Sequence, residues 1–124
     1  MFMSRANLIF YFLIGLGGHA AAFELSVPSI ADGNWDQKFL ATACGGQNVS
    51  PALLWKDAPA GPQSLVVTTF DREALDGFGW WHWQVLKIPA NVTGLPEGAG
   101  TKDGKRMPKG SVQGNGDLGR VGYL

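Results

Sequence analysis

Short apolar runs separated by turn-forming residues dominate this chain, and no helical apolar period lasts beyond one or two turns. Residues of high β propensity form one run at 64–70 (SLVVTTF) and another at 80–88 (WWHWQVLKI), which ends before Pro89. We expect both runs to be central strands of a sheet. Because each run is apolar at successive positions, we also expect both faces of that sheet to be covered.

The rest of the chain predicts shorter pieces of regular structure between loops. Residues 23–27 (FELSV) alternate apolar and polar side chains like a strand, and a short run follows at 38–40. A third short run lies at 53–55, and we expect the Trp55 ring to pack near the central strands. Residues 89–124 are rich in glycine, so this stretch is either a loop leading to further strands or an early stop of the domain.

Residues 1–22 have the order of a secretory signal peptide. Arg5 is a single positive charge before an apolar run at 8–16, and three alanines close the segment. We expect cleavage after the last of these alanines, which makes Phe23 the first residue of the mature chain. The mature domain is then residues 23–124, located in the periplasm or secreted.

An uncleaved membrane anchor is the alternative interpretation, since residues 6–23 carry no formal charge. Spanning helices usually need about 20 apolar residues, and three glycines and one histidine interrupt this stretch. We therefore favour export with cleavage, after which we expect no stable membrane span.

The composition excludes several classes of protein. Ten Lys and Arg balance ten Asp and Glu, which argues against a nucleic-acid partner because such proteins carry a basic face. The 45% of hydrophobic residues, with five Trp, indicates a folded domain. The only cysteine, Cys44, excludes a disulfide framework and a Cys-rich zinc site. We expect its thiol to be buried, with intermolecular pairing as the alternative.

Candidate chemistry lies where the two strongest runs approach each other. Asp71 follows the first run, His82 lies within the second, and the segment between them contains glycines that can reverse the chain. Both side chains can therefore reach one end of a sheet. On a regular strand His82 shares a face with Trp80 and Gln84, whereas Trp81 and Trp83 point to the other face.

A histidine beside a carboxylate is held in one tautomer and can donate an N–H to an anionic oxygen. Glu73 adds a second carboxylate close to Asp71. The competing interpretation is structural, since a single histidine among tryptophans is often a hydrogen-bonded core residue. Because His82 is the only histidine after residue 22, a His-rich metal cluster is excluded, and we expect no cofactor.

Several motifs in this order resemble the phosphatidylethanolamine-binding protein family. They are QNVSPALLW at residues 47–55, PAG at 59–61, Ser64, Asp71 and GWWHW at 79–83. The resemblance covers roughly residues 23–123, and the chain is most similar to the exported bacterial Raf-kinase-inhibitor-like branch of the family.

Membership implies a mainly β fold, with a large central antiparallel sheet, a small second sheet and a small pocket for phosphate-type or acetate-type anions. The family's Asp-Pro-Asp-Ala-Pro turn falls on residues 71–75 (DREAL), where Glu73 replaces the second Asp and both prolines are absent. The family's pocket histidine falls on His82, with Trp81 before it. The implied ligand-binding residues are Asp71, Glu73, Trp81 and His82.

The same resemblance implies that the chain is truncated at its C-terminus. The family's Gly-Tyr-x-Gly-Pro-x-Pro-Pro stretch starts at Gly122, but only GYL is present, and the family's later His-Arg-Tyr motif has no counterpart. We therefore expect residues 23–124 to be the N-terminal part of a family domain, with an incomplete pocket and marginal stability.

The implied function is that of an exported, non-enzymatic binding protein for a small anion, either a phosphate-type group or a phospholipid head group, impaired by the truncation. The alternative is a protein-interaction module that inhibits a kinase or a protease. A hydrolase that uses Asp71, Glu73 and His82 as acid–base groups is less favoured. Neither a Gly-x-Ser-x-Gly nucleophile motif nor an HExxH motif occurs in the chain.

Cleavage of the expected signal peptide can be tested directly. N-terminal sequencing of the protein recovered from the periplasm or the medium should start at Phe23, because small residues precede it. Recovery of the chain with Met1 retained, in the membrane fraction, would instead establish the uncleaved anchor.

Overall fold

Two three-stranded antiparallel sheets form the protein in this computed structural model, which describes residues 22–124. The strands are β1 (Glu24–Ser26), β2 (Leu53–Lys56), β3 (Ser64–Asp71), β4 (Trp80–Pro89), β5 (Gly94–Leu95) and β6 (Val112–Gln113). One sheet has the order β1-β2-β5 and the other β3-β4-β6. Four short 3-10 helices lie in the connections, at Pro28–Ile30, Gln37–Phe39, Thr42–Cys44 and Leu75–Gly77.

The mainly β, antiparallel fold expected from the sequence is confirmed, and the two strongest runs form the longest strands, β3 and β4. The expected signal peptide, residues 1–22, lies outside the described residues except for its last alanine. Within residues 22–124, no helix has the length and apolar character needed to cross a membrane.

The hydrophobic core lies between the two sheets and follows from strand alternation. In β2, Leu53 and Trp55 are buried while Leu54 and Lys56 are exposed. The Trp55 side chain is only 6% exposed, which confirms its predicted packing. Its indole Nε1 donates to the carbonyl oxygen of Val92 at 2.7 Å, so its one polar atom is satisfied inside the core. The buried cluster consists of Leu53, Trp55, Trp83, Val85, Ile88, Leu95, Ala99 and Tyr123.

The prediction that both faces of the second sheet are covered is wrong. Along β3, exposed residues alternate with half-buried ones, so only one face contacts the core. The other face presents large apolar side chains, including Val66, Phe70 and Leu86. Apolar residues at successive positions therefore do not establish burial on both sides here. Their β propensity favours the strand, while cross-strand contacts partly cover the exposed face.

The regular alternation expected along β4 is also wrong, because β4 has ten residues where β3 has eight. The register between the two strands shifts at two places, between Leu65 and Val67 and between Thr69 and Phe70, and the second shift lies at His82. Thr69 lies opposite Trp83 and Phe70 opposite Trp81, which leaves His82 as an extra residue between two adjacent pairs. Such a β-bulge reverses the face on which the following side chains lie. Trp83 is accordingly 0% exposed in the core, whereas Trp81 is 38% exposed on the opposite face.

On that exposed face the rings of Phe70 and Trp81 pack with their centroids 4.5 Å apart. Gly79 makes this packing feasible, since a Cβ at this position would lie 2.1 Å from the Phe70 ring. Its backbone also has φ +83°, a conformation that residues with a side chain rarely adopt.

Tyr123 fastens the loop before β2 to the core of the second sheet. Its hydroxyl donates to the carbonyl oxygen of Phe39 at 3.0 Å, and its ring packs edge-on against Trp83. The backbone N–H of Tyr123 donates to the carbonyl oxygen of Gly100 at 2.8 Å. The carbonyl oxygen of Tyr123 in turn accepts a hydrogen bond from the Asn48 side-chain amide. Burial raises the pKa of the Tyr123 phenol, because the phenolate is disfavoured away from water.

Replacing Trp55 with Ala should lower the free energy of unfolding by about 3–5 kcal/mol, because it empties a core position. Chemical denaturation of residues 23–124 measures this loss. Leu54→Ala is the matched control, since Leu54 is the adjacent residue on the exposed face of β2. We expect it to cost less than about 1 kcal/mol. Equal losses for the two variants would contradict the described core.

The buried phenol of Tyr123 predicts a fall in stability at alkaline pH. An unfolded tyrosine ionises near pH 10, whereas folding raises the pKa of Tyr123. The stabilisation is therefore complete below about pH 10 and is lost as the pH rises through the higher pKa of the folded state. Denaturation should show a smaller alkaline loss for Tyr123→Phe than for the unaltered chain. An identical pH dependence would place the phenol in solvent.

Candidate functional site

A cavity of about 470 Å³ lies where the loop at residues 35–44 meets the end of β3. Three of the four site residues predicted from the sequence line it: Asp71, Glu73 and His82. We call it the His82 cavity. Its wall also includes Arg72, Tyr123 and the apolar side chains of Trp35, Phe39 and Leu40.

Asp71 is the last residue of β3 and organises the turn that forms one rim of the His82 cavity. Its Oδ1 accepts the backbone N–H of Glu73 at 2.9 Å and that of Ala74 at 3.3 Å. Short acidic side chains commonly stabilise turns in this way. The arrangement directs residues 72 and 73 towards the cavity, so Arg72 and Glu73 both line it.

The rim differs from what the family's prolines would build. Leu75 occupies the place of the second proline and has φ +52°, followed by Asp76 at φ +55°. Proline is restricted to φ near −65°, so a proline could not adopt the conformation found at Leu75. The backbone at this rim therefore has a conformation that the family's second proline could not adopt, in agreement with the absence of that proline from the sequence.

His82 reaches the cavity because it is the extra residue of the β4 bulge. Its Nδ1 is hydrogen-bonded to the carbonyl oxygen of Leu124. A main-chain oxygen only accepts, so this hydrogen bond requires the proton on Nδ1, which leaves Nε2 as the ring nitrogen available to a ligand. Within residues 22–124 no hydrogen bond joins Asp71 and His82, so Leu124, not Asp71, orients the ring.

Trp81 is the one predicted site residue that does not line the His82 cavity. The bulge places its ring on the exposed face against Phe70. Its backbone N–H donates to Asp117 Oδ2 at 2.8 Å, so the residue ties a later loop to β4. Trp81 was predicted as a site residue because it precedes His82 in the sequence. The sequence pattern could not indicate that the two side chains point in different directions.

Arg72 and the aromatic wall were not among the site residues predicted from the sequence, and the prediction for Cys44 is wrong. Cys44 was expected to be buried, but the structure shows it exposed, and it lines the His82 cavity. The reason is local: Cys44 ends the 3-10 helix Thr42–Cys44, none of whose residues is buried. Trp35 lies more than 30 residues before Asp71 in the sequence, so no short motif connects them.

The charges around the His82 cavity are mixed. Asp71 and Glu73 contribute carboxylates, whereas Arg72 contributes a guanidinium. Nearby, Lys38 Nζ lies 2.9 Å from Glu97 Oε1 and 4.9 Å from the centre of the Phe39 ring. In the part of the chain that the structure describes, no group of three His, Cys, Asp or Glu side chains is placed to hold a metal ion.

Comparison with known proteins gives the same relationship in sequence and in structure. The model of the family described as phosphatidylethanolamine-binding protein matches residues 27–124. The UPF0098 protein YbcL of Escherichia coli is 42% identical over 113 residues, which cover 89% of this chain and 62% of YbcL. The UPF0098 protein YbhB of the same organism is 47% identical over 78 residues, covering 63% of this chain and 49% of YbhB.

The crystal structure of Escherichia coli YbcL, described as a new member of the mammalian PEBP family, superposes with a TM-score of 0.76 at 42% identity. The match covers 83% of this chain and 65% of that one, so the chain spans less than two thirds of these relatives. With a family match over most of its length and a concordant fold, the chain belongs to the phosphatidylethanolamine-binding protein family.

Proposed function

We propose that the protein is an exported, non-enzymatic binding protein whose His82 cavity takes a small phosphate-type ligand, in particular a phospholipid head group. The observation that carries this proposal is the combination of opposite charges and an apolar wall in one cavity of about 470 Å³. A volume of this size is typical of small-ligand sites. Export rests on the signal peptide expected at residues 1–22.

The charged groups of the His82 cavity are complementary to the phosphate and the ammonium of an amine-bearing head group. The Arg72 guanidinium can pair with phosphate oxygens, as arginine does in many phosphate sites. The carboxylates of Asp71 and Glu73 can pair with an ammonium group. His82 Nε2 accepts a hydrogen bond while the ring is neutral and donates one when it is protonated.

The apolar side of the cavity suits the hydrocarbon part of such a ligand. Trp35 and Phe39 pack edge-on at 6.4 Å between ring centroids and form this wall together with Leu40. Aromatic rings cover large apolar areas and still tolerate a polar group at their edge. A lipid head group with its glycerol backbone therefore has a polar side and an apolar side to contact.

A protein-interaction module is the second candidate, favoured by the exposed face of the second sheet. Phe78 is 88% exposed in the turn before β4, close in sequence to the exposed Phe70–Trp81 pair. Large exposed apolar groups of this kind often mark contacts with other proteins. A folded protein that binds no phosphate-type ligand would favour this function over the first.

Isothermal titration with glycerophosphoethanolamine tests the proposed function. We expect binding by the unaltered chain and an affinity at least about tenfold lower for His82→Ala, since a hydrogen bond to a charged group contributes about 1.5–3 kcal/mol. Thr68→Ala is the matched control, because Thr68 lies on the exposed face of β3. We expect it to keep the affinity of the unaltered chain.

Thermal melting must first show that His82→Ala folds, because His82 also bonds Leu124. Equal affinities for His82→Ala and the unaltered chain would contradict a ligand in this cavity. The absence of any binding by the unaltered chain would do the same. Turnover of a phosphoester that His82→Ala abolishes would instead support the hydrolase.

A further inference from the structure

A second cavity, of about 330 Å³, lies beyond Tyr123 from the His82 cavity and shares Tyr123 and Leu124 with it as lining residues. We call it the Lys102 cavity. Two residues with cationic side chains are among those that line it, Lys102 in the loop after β5 and Arg120 in the loop after β6. No Asp or Glu side chain is among its lining residues.

Part of the wall of the Lys102 cavity is bare backbone. Gly100 and Gly122 both line it, and Gly122 has φ +104°. A Cβ on Gly122 would lie 2.8 Å from the Gly100 carbonyl oxygen and 3.4 Å from the Lys102 backbone nitrogen. The two segments therefore approach each other closely because no side chain stands between them, so this part of the cavity wall is backbone.

The carboxylate nearest in sequence to Lys102 is already engaged. Asp103 Oδ1 accepts the Thr101 hydroxyl at 2.8 Å, and Asp103 Oδ2 pairs with Lys105 Nζ at 3.1 Å. The Thr101 hydroxyl and Lys105 together lower the pKa of Asp103. Lys105, and not Lys102, is thus the cation that Asp103 neutralises.

The loop that carries Arg120 uses its carboxylate in a similar way. Asp117 Oδ2 accepts the backbone N–H of Trp81 at 2.8 Å and so fixes the loop to β4. Among residues 22–124, the lysines and arginines that form ion pairs are Lys38, Lys56 and Lys105. The two cations of the Lys102 cavity are therefore not neutralised by a side chain that the structure describes.

We propose that the Lys102 cavity is a second binding site, which takes a phosphate dianion or a small phosphate monoester between Lys102 and Arg120. Two cations without an Asp or Glu among the lining residues favour a doubly charged anion over a zwitterion. The His82 cavity differs, because its two carboxylates oppose a dianion. A volume of 330 Å³ has room for phosphate and a few carbon atoms.

Asn48 adds a polar group suited to the same ligand. One N–H of its side-chain amide donates to the carbonyl oxygen of Tyr123. Its second amide N–H has no acceptor among residues 22–124 and can donate to a phosphate oxygen. The ligand would thus be held by a guanidinium, an ammonium and an amide from three separate segments of the chain.

The test combines titration calorimetry with NMR of the ¹⁵N-labelled chain, using inorganic phosphate and glycerol phosphate as probes. Both probes should shift the backbone amides of Thr101, Lys102 and Val121. The double variant Lys102→Gln/Arg120→Gln should bind them at least about tenfold more weakly, since it removes two charge-assisted contacts. Glycerophosphoethanolamine, a zwitterionic diester, should bind there at least about tenfold more weakly than phosphate.

The double variant Lys87→Gln/Lys109→Gln is the matched control, because it removes the same charge and neither residue lines the cavity. It should keep the phosphate affinity within about twofold, because general attraction between exposed charges is weak. An equal loss in both double variants would overturn the site in favour of non-specific attraction. Tighter binding of glycerophosphoethanolamine than of phosphate at Thr101 would also overturn the assignment.

The position of the shifts separates this proposal from the function proposed above. Shifts by phosphate confined to Arg72, Glu73 and Ala74 would overturn the second site while supporting a ligand in the His82 cavity. Shifts confined to Thr101 and Lys102, retained in His82→Ala, would support the second site even if the His82 cavity bound nothing.

Discussion

The extra residue that β4 has at His82 is the constraint on which the rest of the structure depends. A β-bulge places two residues opposite one and re-aims the side chains on either side of it. Here it lets Trp83 stay in the core while Trp81 packs on Phe70 at the opposite face. It also puts His82 at the edge of a cavity. A β4 with strict alternation would place Trp81 on the same face as Trp83, and the core, which already holds the indoles of Trp55 and Trp83, would have to hold a third.

Tyr123 connects the core to both cavities. Its ring packs on Trp83, its hydroxyl bonds Phe39, and it lines the cavities on either side. Because burial raises the pKa of its phenol, this shared wall is uncharged at neutral pH. The charge of each cavity is therefore decided by the surrounding loops, and the same wall can serve two sites of different charge.

The sequence was sufficient to predict β1 to β4 and the burial of Trp55, because β propensity and aromatic content act locally. It did not predict the two-residue strands β5 and β6, and the short run expected at 38–40 overlaps the 3-10 helix Gln37–Phe39. The spacing of the residues and the family resemblance also predicted that Asp71, Glu73 and His82 belong to one site, and all three line the His82 cavity. The sequence could not predict the bulge, since register is a property of two paired strands and not of one. For the same reason it misplaced Trp81. Cys44 and the aromatic wall were missed because burial in irregular segments depends on contacts far along the chain.

The zero net charge of the chain does not indicate how its charges are distributed over the surface. The contacts of the carboxylates explain the uneven distribution. Asp117 accepts the backbone N–H of Trp81, and Asp103 accepts a hydroxyl and a backbone N–H as well as pairing with Lys105. Each of these carboxylates accepts hydrogen bonds that hold a loop in place, so it faces these donors and not the cations of the Lys102 cavity. In the loops at Lys102 and Arg120 this leaves cations in excess beside a cavity. A chain with no net charge can thus have a positively charged site, because its carboxylates are engaged in turns elsewhere.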